Sequence, residues 1–465
     1  MQVDWLKAIK FTGDTPKHRV LTDALLKAIE AGDLPEGCKL PTHRELAYQL
    51  RVSVQTVSTS YREALKRGYI RSEVGRGSFV RSMNSEPTGG FLLDSTSSDL
   101  VDLSIIRGVY TEAHETASRQ VMAAMALSDN SQWMRPCRPI PGQDHHREAA
   151  QTWLAQLSVR TEVERICITN GATHAILLAL AAVTRPGDIV LTEELTEHGF
   201  IGMANVLGLT LRCVQTDQEG IIPEALDAAC ADGSAKALVW IPTLGNPTSH
   251  FASAKRRDTI AQVAASHGIF VIENEVYRPL VDDRPPSIID LLPDHGFLAT
   301  SMTKAVLTGL RVGYLVAPHK FALRVASLLR ITSWTATPIA AEIASRWIES
   351  RTTEHLAMIQ RSEAMARQAI LQETLEPFLA GSHPQSLFGW LKIPPGWTEE
   401  SLVAVLRERR IAVTTSSPFV VDKNHAQKGI RVCLGGRISP EVLRSALQTI
   451  RDTFMQLPAI NPISV

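Results

Sequence analysis

The chain has 465 residues, 48 Lys and Arg against 48 Asp and Glu, 44% hydrophobic and 21% charged residues. That is the make-up of a soluble globular protein of two or three domains, with core enough to fold without staples. Six scattered cysteines, no Cys-x-x-Cys pair and no histidine cluster argue for a reducing compartment and against structural zinc. The start, MQVDWLKAIK, has no apolar signal region, and the longest apolar stretch, Ala175 to Val183, is too short to span a bilayer. A cytoplasmic protein without a metal and without a membrane contact is therefore expected. The zero net charge is uneven. Residues 1–82 hold 14 basic and 9 acidic side chains, the remainder 34 and 39. A basic N-terminal end on an acidic body fits a nucleic-acid contact there.

The first predicted element is an amphipathic helix from Val20 to Ala31, with Leu21, Leu25, Ala28 and Ile29 on one face and Gly32 as its stop. Thr42 followed by Glu45 is a capping box, so a second helix starts there and runs to about Leu50. After the tight turn Arg51-Val52-Ser53, Ser53 caps a third helix that reaches about Arg67. Tyr69-Ile70-Arg71 and Ser78-Phe79-Val80 then flank a hairpin tip, Gly75-Arg76-Gly77. Two short helices joined by a tight turn and followed by a hairpin make a winged helix-turn-helix.

The stretches LPTHRELA, VSVQTVSTSYREALKRGYI and GRGSFV closely resemble the GntR family, over about 60 residues. By position, Arg44, Val54, Gln55, Thr56 and Ser58 should face double-stranded DNA, with Gln55 best suited to an adenine edge. Arg76 and Gly77 match the wing, with Lys66 and Arg67 as further cations. Family members often carry Arg where this chain has Val54 and Ser58. Modest affinity per copy then favours a dimer on two half-sites.

Domain boundaries are expected at 1–81 for this domain, 82–99 for a linker rich in Ser, Thr, Gly and Asp, and 100–465 for the body. In the body, apolar runs at Ile166–Thr169, Ile189–Thr192, Leu211–Val214, Ala237–Ile241, Ile269–Glu273, Phe297–Thr300 and Gly313–Val316 alternate with helical stretches such as Ala172 to Val183 and Ser253 to His267. That alternation predicts an α/β fold on an open, mostly parallel sheet, with a large subdomain at about 145–340 and a small one at about 341–465. Ligands in such sheets sit at the carboxyl ends of strands. The polar residues singled out, Asn170-Gly171-Ala172, Asn246, Asn274, Tyr277 and Lys304, all follow predicted strands. Backbone amides at Gly171 and Ala172 open a helix and suit a phosphate. Ser301, Lys304 and Arg311 stand at a spacing that holds pyridoxal phosphate: an amine for the aldehyde, a hydroxyl and a guanidinium for the phosphate.

From about 100 to 465 the chain resembles fold-type I aminotransferases. Joined to the GntR-like domain, it looks like a MocR-subfamily regulator. The resemblance implies Lys304 as the Schiff-base lysine and Gly171, Ala172, Ser301 and Arg311 as the phosphate site, beside Asn170. It implies Asn246 and Tyr277 at the phenolic oxygen, Asn274 at the ring nitrogen, and Arg431 as the fork for a substrate carboxylate. It also implies a head-to-tail homodimer.

Three positions depart from the pattern. Asn274 stands where active aminotransferases pair a carboxylate with the ring nitrogen. Glu273 and Glu275 flank it on the opposite side, although a rotated turn would deliver Glu275. Glu197 replaces a ring-stacking tyrosine, leaving His198 as the candidate to stack. No tyrosine lies near Cys137, where one for the partner's phosphate is expected; Arg135 or Arg138 is the substitute. These losses suit cofactor binding better than turnover. The expectation is a transcription regulator that senses an amino acid or amine by external aldimine formation at Lys304. The alternative is a working aminotransferase that carries a DNA-binding domain.

Overall fold

A computed structural model of the chain describes residues 4–7, 9, 11, 16–30, 33–35, 37–66, 69–73, 77–80, 100–128, 138–422 and 427–456. The chain divides into two compact units, Met1–Asp94 and Ser95–Val465. The expected linker, the wing residue Arg76, and Lys66 and Arg67 as cations lie outside the described residues and side chains, as do Arg135 and Cys137.

The first unit has helices α1 (Lys17–Glu30), α2 (His43–Leu50) and α3 (Val54–Lys66). Strands β1 (Ile70–Glu73) and β2 (Gly77–Val80) pair antiparallel, Ile70 opposite Val80. The apolar face of α1 (Leu21, Leu25, Ile29) meets Leu46, Val57 and Tyr61, and the hairpin closes the core through Ile70 and Val80. Both expected caps form. Thr42 Oγ1 accepts from Glu45 N, and the Glu45 carboxylate accepts from Thr42 N at 2.8 Å. Ser53 Oγ accepts from Thr56 N at 3.1 Å. Between them Arg51 adopts a left-handed φ of 50°, which stops α2 and turns the chain into α3.

The second unit is built on a seven-stranded sheet. In chain order its strands are β3 (Ile166–Thr169), β4 (Ile189–Glu193), β5 (Thr210–Val214), β6 (Ala235–Trp240), β7 (Phe270–Asn274), β8 (Gly296–Ser301) and β9 (Gly313–Val316). Their spatial order is β3-β9-β8-β7-β6-β4-β5. Apolar side chains alternate between two cores. Phe297, Ala299 and Leu315 face one; Leu298, Tyr314 and Val316 face the other. A sheet covered on both faces needs such runs. It is parallel except at β9, which runs antiparallel to both β8 and β3.

Six helices matter for the sites: α4 (Asp144–Gln156), α5 (Ala172–Val183), α6 (His198–Val206), α7 (Ala254–His267), α8 (Pro338–Glu349) and α9 (Thr352–Leu375). A smaller antiparallel sheet of β10 (Leu379–Gly381), β11 (Phe388–Leu391), β12 (Thr414–Thr415) and β13 (Ile430–Cys433) has the order β10-β11-β13-β12. The segment Val101–Asp102 pairs parallel with Ile411–Ala412, and Leu103 is buried in the small-sheet core. Among the described residues, no helix is long and apolar enough to cross a membrane.

Candidate functional site

The carboxyl edge of the large sheet gathers the expected residues. Asn170 follows β3, Asn274 ends β7 and Ser301 ends β8. Arg311 reaches the same edge only because β9 is reversed: its first residue, Gly313, lies between Thr169 and Ser301. Arg311 itself takes a left-handed φ of 54°. A Cβ on Gly313 would stand 2.5 Å from the carbonyl carbon of Gly171, so only glycine fits. Gly171, at φ 89°, opens α5, and a Cβ there would meet the Arg311 guanidinium at 2.9 Å. Helix start and guanidinium therefore approach each other closely with no side chain between them, so that both can donate to one phosphate group. Asn170 is committed elsewhere: its amide N–H donates to His174 Nδ1, and its Oδ1 accepts from Thr337 N at 3.0 Å.

Two cations of this pocket end on one short segment. Lys304 Nζ donates to the carbonyl of Ile106 at 2.7 Å. Arg431 Nη2 donates to the carbonyl of Ser104 at 2.6 Å, and its Nη1 to Asn246 Oδ1 at 2.8 Å. Arg431 is buried, lies 4.7 Å over the Phe419 ring, and its Nε has no hydrogen-bond partner. No ion pair joins either cation to a carboxylate among the described residues. Burial pushes the Lys304 amine below its ordinary value, and the Glu197 carboxylate offsets part of that. The segment is itself tethered: Gly436 N donates to Gly108 O, and Val109 N to Gln360 Oε1 at 2.7 Å.

At the end of β7, Asn274 Nδ2 donates to Glu197 Oε2 at 3.2 Å, so two of the departing positions touch each other. Glu273 and Glu275 point to the other face, as strand alternation requires. No rotated turn delivers Glu275. Its Oε1 accepts from Arg257 at 2.6 Å and from Arg278 at 3.2 Å. Tyr277 is buried edge-on to Phe388, and burial holds its phenol well above the ordinary value. Ser301 Oγ accepts from Thr303 N at 3.3 Å. His198 begins α6 and meets the Phe419 ring edgewise at 6.1 Å, with burial lowering its pKa.

Sequence reasoning missed Glu197 as a contact of Asn274, the Ser104–Ile106 carbonyls, and Cys433. Cys433 shares a face of β13 with Arg431, and burial raises its thiol while the charges of Arg431 and Lys304 lower it. Only that last placement had a sequence signal, the i, i+2 spacing from Arg431. The expectation of no histidine cluster needs correction. His145 and His146 on α4 both reach Glu342 Oε2 on α8 at 3.0 Å, while Arg346 Nε holds Oε1 at 2.7 Å. Their ligand atoms lie within 4.8 Å of one another. Each of these atoms already has a hydrogen-bond partner, as in an ion-pair cluster.

In the first unit, Arg44, Val54 and Gln55 are exposed and Thr56 and Ser58 partly so, along the start of α3 and the facing part of α2. Gly77 is exposed at the start of β2. Tyr48, not foreseen, is 86% exposed and shares a cavity of about 620 Å³ with Arg44, Arg51 and Val54.

Residues 98–450 match the family model described as aminotransferase class I and II. The chain belongs to that family. Its residues 18–80 match the gntR family of bacterial regulatory proteins, so a GntR helix-turn-helix domain is fused to a class I and II aminotransferase domain. Over 94% of its length this aminotransferase-family chain is 25% identical to the HTH-type transcriptional regulator YdeF of Bacillus subtilis (strain 168), covering 94% of that protein. It is 24% identical to the vitamin B6 salvage pathway transcriptional repressor PtsJ of Salmonella typhimurium, over 80% of this chain and 84% of that one. An archaeal alanine:glyoxylate aminotransferase structure superposes on 76% of the chain and 90% of its own, with a TM-score of 0.70 and 22% identity, which shows the fold.

Aminotransferases of this fold typically bind pyridoxal phosphate, and the residues here fit it. The close approach of the Gly171 backbone and the Arg311 guanidinium would be blocked by a Cβ. Among the described residues, Lys304 is hydrogen-bonded only to a carbonyl, and the Nε of Arg431 is left without an acceptor.

Proposed function

We propose that this transcription regulator of the GntR and MocR type senses an amino acid at the Lys304 pocket and passes the result to its helix-turn-helix unit. Pyridoxal phosphate would be held by Arg311, Ser301 and the amides of Gly171 and Ala172. Asn246 and Tyr277 would face its phenolic oxygen, Asn274 its ring nitrogen and Lys304 its aldehyde. When bound, it supplies an aldehyde that captures a primary amine reversibly. The chain's residues do the rest. Burial moves the Lys304 amine toward its neutral, nucleophilic form. Arg431, buried without a carboxylate, offers a planar fork to the carboxylate of an amino acid. In DNA binding, Arg44, Val54, Gln55, Thr56 and Ser58 would meet the operator, with Gly77 at the wing. Binding would be as a head-to-tail homodimer on two half-sites.

The observation that carries this reading is the shared anchorage of the two cations. Lys304 and Arg431 donate to the carbonyls of Ile106 and Ser104, in the first stretch of the second unit. Nine residues lie between Ser104 and Asp94, the last residue of the first unit. Drawing Arg431 to an amino-acid carboxylate would remove one charge-assisted hydrogen bond, worth about 1.5–3 kcal/mol, from the segment that leads to the DNA-binding unit. That is sufficient for a coupling of about 1–3 kcal/mol between the sites. Footprinting on the DNA upstream of the coding sequence, with pyridoxal phosphate and each common amino acid in turn, tests it. One amino acid should shift occupancy of the protected site at least about fivefold, and Lys304→Ala should protect without responding. Occupancy unchanged by every amino acid would sink the reading.

The contact between Asn274 and Glu197 favours a second reading. It brings a carboxylate within 3.2 Å of the Asn274 amide, the group that would face the ring nitrogen, where an aminotransferase carries a carboxylate. Turnover of amino acid and 2-oxo acid near a typical rate of about 10 per second, lost in Glu197→Gln, would establish an enzyme.

A further inference from the structure

A second cavity, of about 580 Å³, lies where the end of α4 and the loop after Tyr277 meet the start of α9. Three arginines line it. Arg284 donates its Nε to Val281 O and its Nη1 to Gln156 O, with no carboxylate of the described residues in hydrogen-bond reach. Arg361 donates to Pro279 O at 3.0 Å and pairs with Asp282, an exposed carboxylate, at 3.2 Å. Arg351 is exposed, adopts a left-handed φ of 58°, and stands as the residue that caps α9. Its guanidinium makes no ion pair with the described residues. The acidic member of the wall is Glu354, and His355 stands next to it.

Two further features select a ligand class. The cavity is at the N-terminal end of a 24-residue helix, whose first amides lack intrahelical acceptors and whose dipole favours an anion. Thr353, in that first turn, is fully buried and lines the cavity, yet its hydroxyl has no hydrogen-bond partner. A buried hydroxyl without a partner costs stability unless something completes it. Trp153 and Met358 add an apolar side to the wall. Guanidiniums, a helix N-terminus and a hydroxyl lining one cavity suit a tetrahedral dianion, with space left for an organic group.

We propose that this cavity is a second ligand site, distinct from the Lys304 pocket, which takes a small phosphomonoester through Arg284, Arg351, Arg361 and the Thr353 hydroxyl. The phosphate would complete Thr353 and neutralise the arginines. The organic part would rest against Met358 and Trp153.

The test uses the full chain saturated with pyridoxal phosphate, so that the Arg311 cradle is filled. Inorganic phosphate and phenyl phosphate are titrated at constant ionic strength by calorimetry. One saturable site per chain is expected, with phenyl phosphate the tighter ligand. Arg351→Gln changes only an exposed residue and should weaken binding about tenfold, as should Arg284→Gln. Thr353→Val should weaken it, and Glu354→Gln should tighten it. Arg311→Gln, in chain that retains its cofactor, should leave this site unchanged. No saturable binding, or binding indifferent to Arg351→Gln and Arg284→Gln, overturns the proposal. Equal affinity for the two ligands assigns the site to free phosphate, and displacement by any duplex DNA assigns it to a nucleic-acid backbone; either result overturns it as well.

Discussion

The two faces of β7 treat charge in opposite ways. Behind the strand, Arg257, Glu273, Glu275 and Arg278 are fully buried and balanced, two cations against two carboxylates. Arg257 bonds Glu273 at 2.9 Å, Glu275 at 2.6 Å and Thr243 at 2.7 Å, while Glu273 also accepts from Ser287 and Ile288 N. In front, Lys304, Arg311 and Arg431 make no ion pair among the described residues, Glu197 is the carboxylate that acts on Lys304, and two of the three cations rest on carbonyls. A compensated buried cluster fixes the fold, whereas cations left on neutral acceptors are poised for an anionic ligand.

Arg257→Met should break the balanced side most severely. It strands two buried carboxylates against one remaining cation, and urea denaturation should show a loss of about 3–5 kcal/mol. Glu342→Gln should come next, at about 2 kcal/mol, because Glu342 gathers two histidines and Arg346. Its carboxyl is held down at about 2, first by the His146 hydrogen bond, against an ordinary 4.5. A depressed carboxyl contributes fully above the ordinary value and loses that contribution as pH falls toward the folded one. The gap between wild type and variant should therefore be flat above pH 4.5 and shrink below it. Arg431→Met leaves the acceptors of Ser104 and Asn246 without this donor and should cost about 1–2 kcal/mol, less than Arg257→Met because no carboxylate is orphaned. It should nevertheless weaken amino-acid binding at least about tenfold. A stability loss as large as that of Arg257→Met would erase the contrast between the two faces. The smallest effect expected is a shift in pH profile. Capture of pyridoxal phosphate by Lys304 should rise with pH and level off below 10.5, the ordinary lysine value, because burial lowers the amine.

What was legible in the sequence was local. The helix expected at Ala172 to Val183 has those bounds, and the Thr42 and Ser53 caps form where hydroxyl and spacing placed them. Strand alternation was enough to put Asn274 opposite Glu273 and Glu275. The reversal of β9 was not legible, because Gly313–Val316 reads as a buried strand in either direction; only its pairing with Thr169 and Ser301 fixes the sense. The missed contacts join residues far apart in the chain: 198 residues between Lys304 and Ile106, 77 between Asn274 and Glu197, 197 between His145 and Glu342. None of those pairs shares a motif, a period or an element.

Absorbance titration of the full chain, loaded with pyridoxal phosphate, against amino acids and their decarboxylated amines tests the Lys304 pocket most directly. The account predicts a cofactor band that is absent in Lys304→Ala and shifts with one amino acid at least about tenfold more readily than with its amine, a preference lost in Arg431→Met. A band that survives Lys304→Ala, or equal response to amine and amino acid, would contradict it.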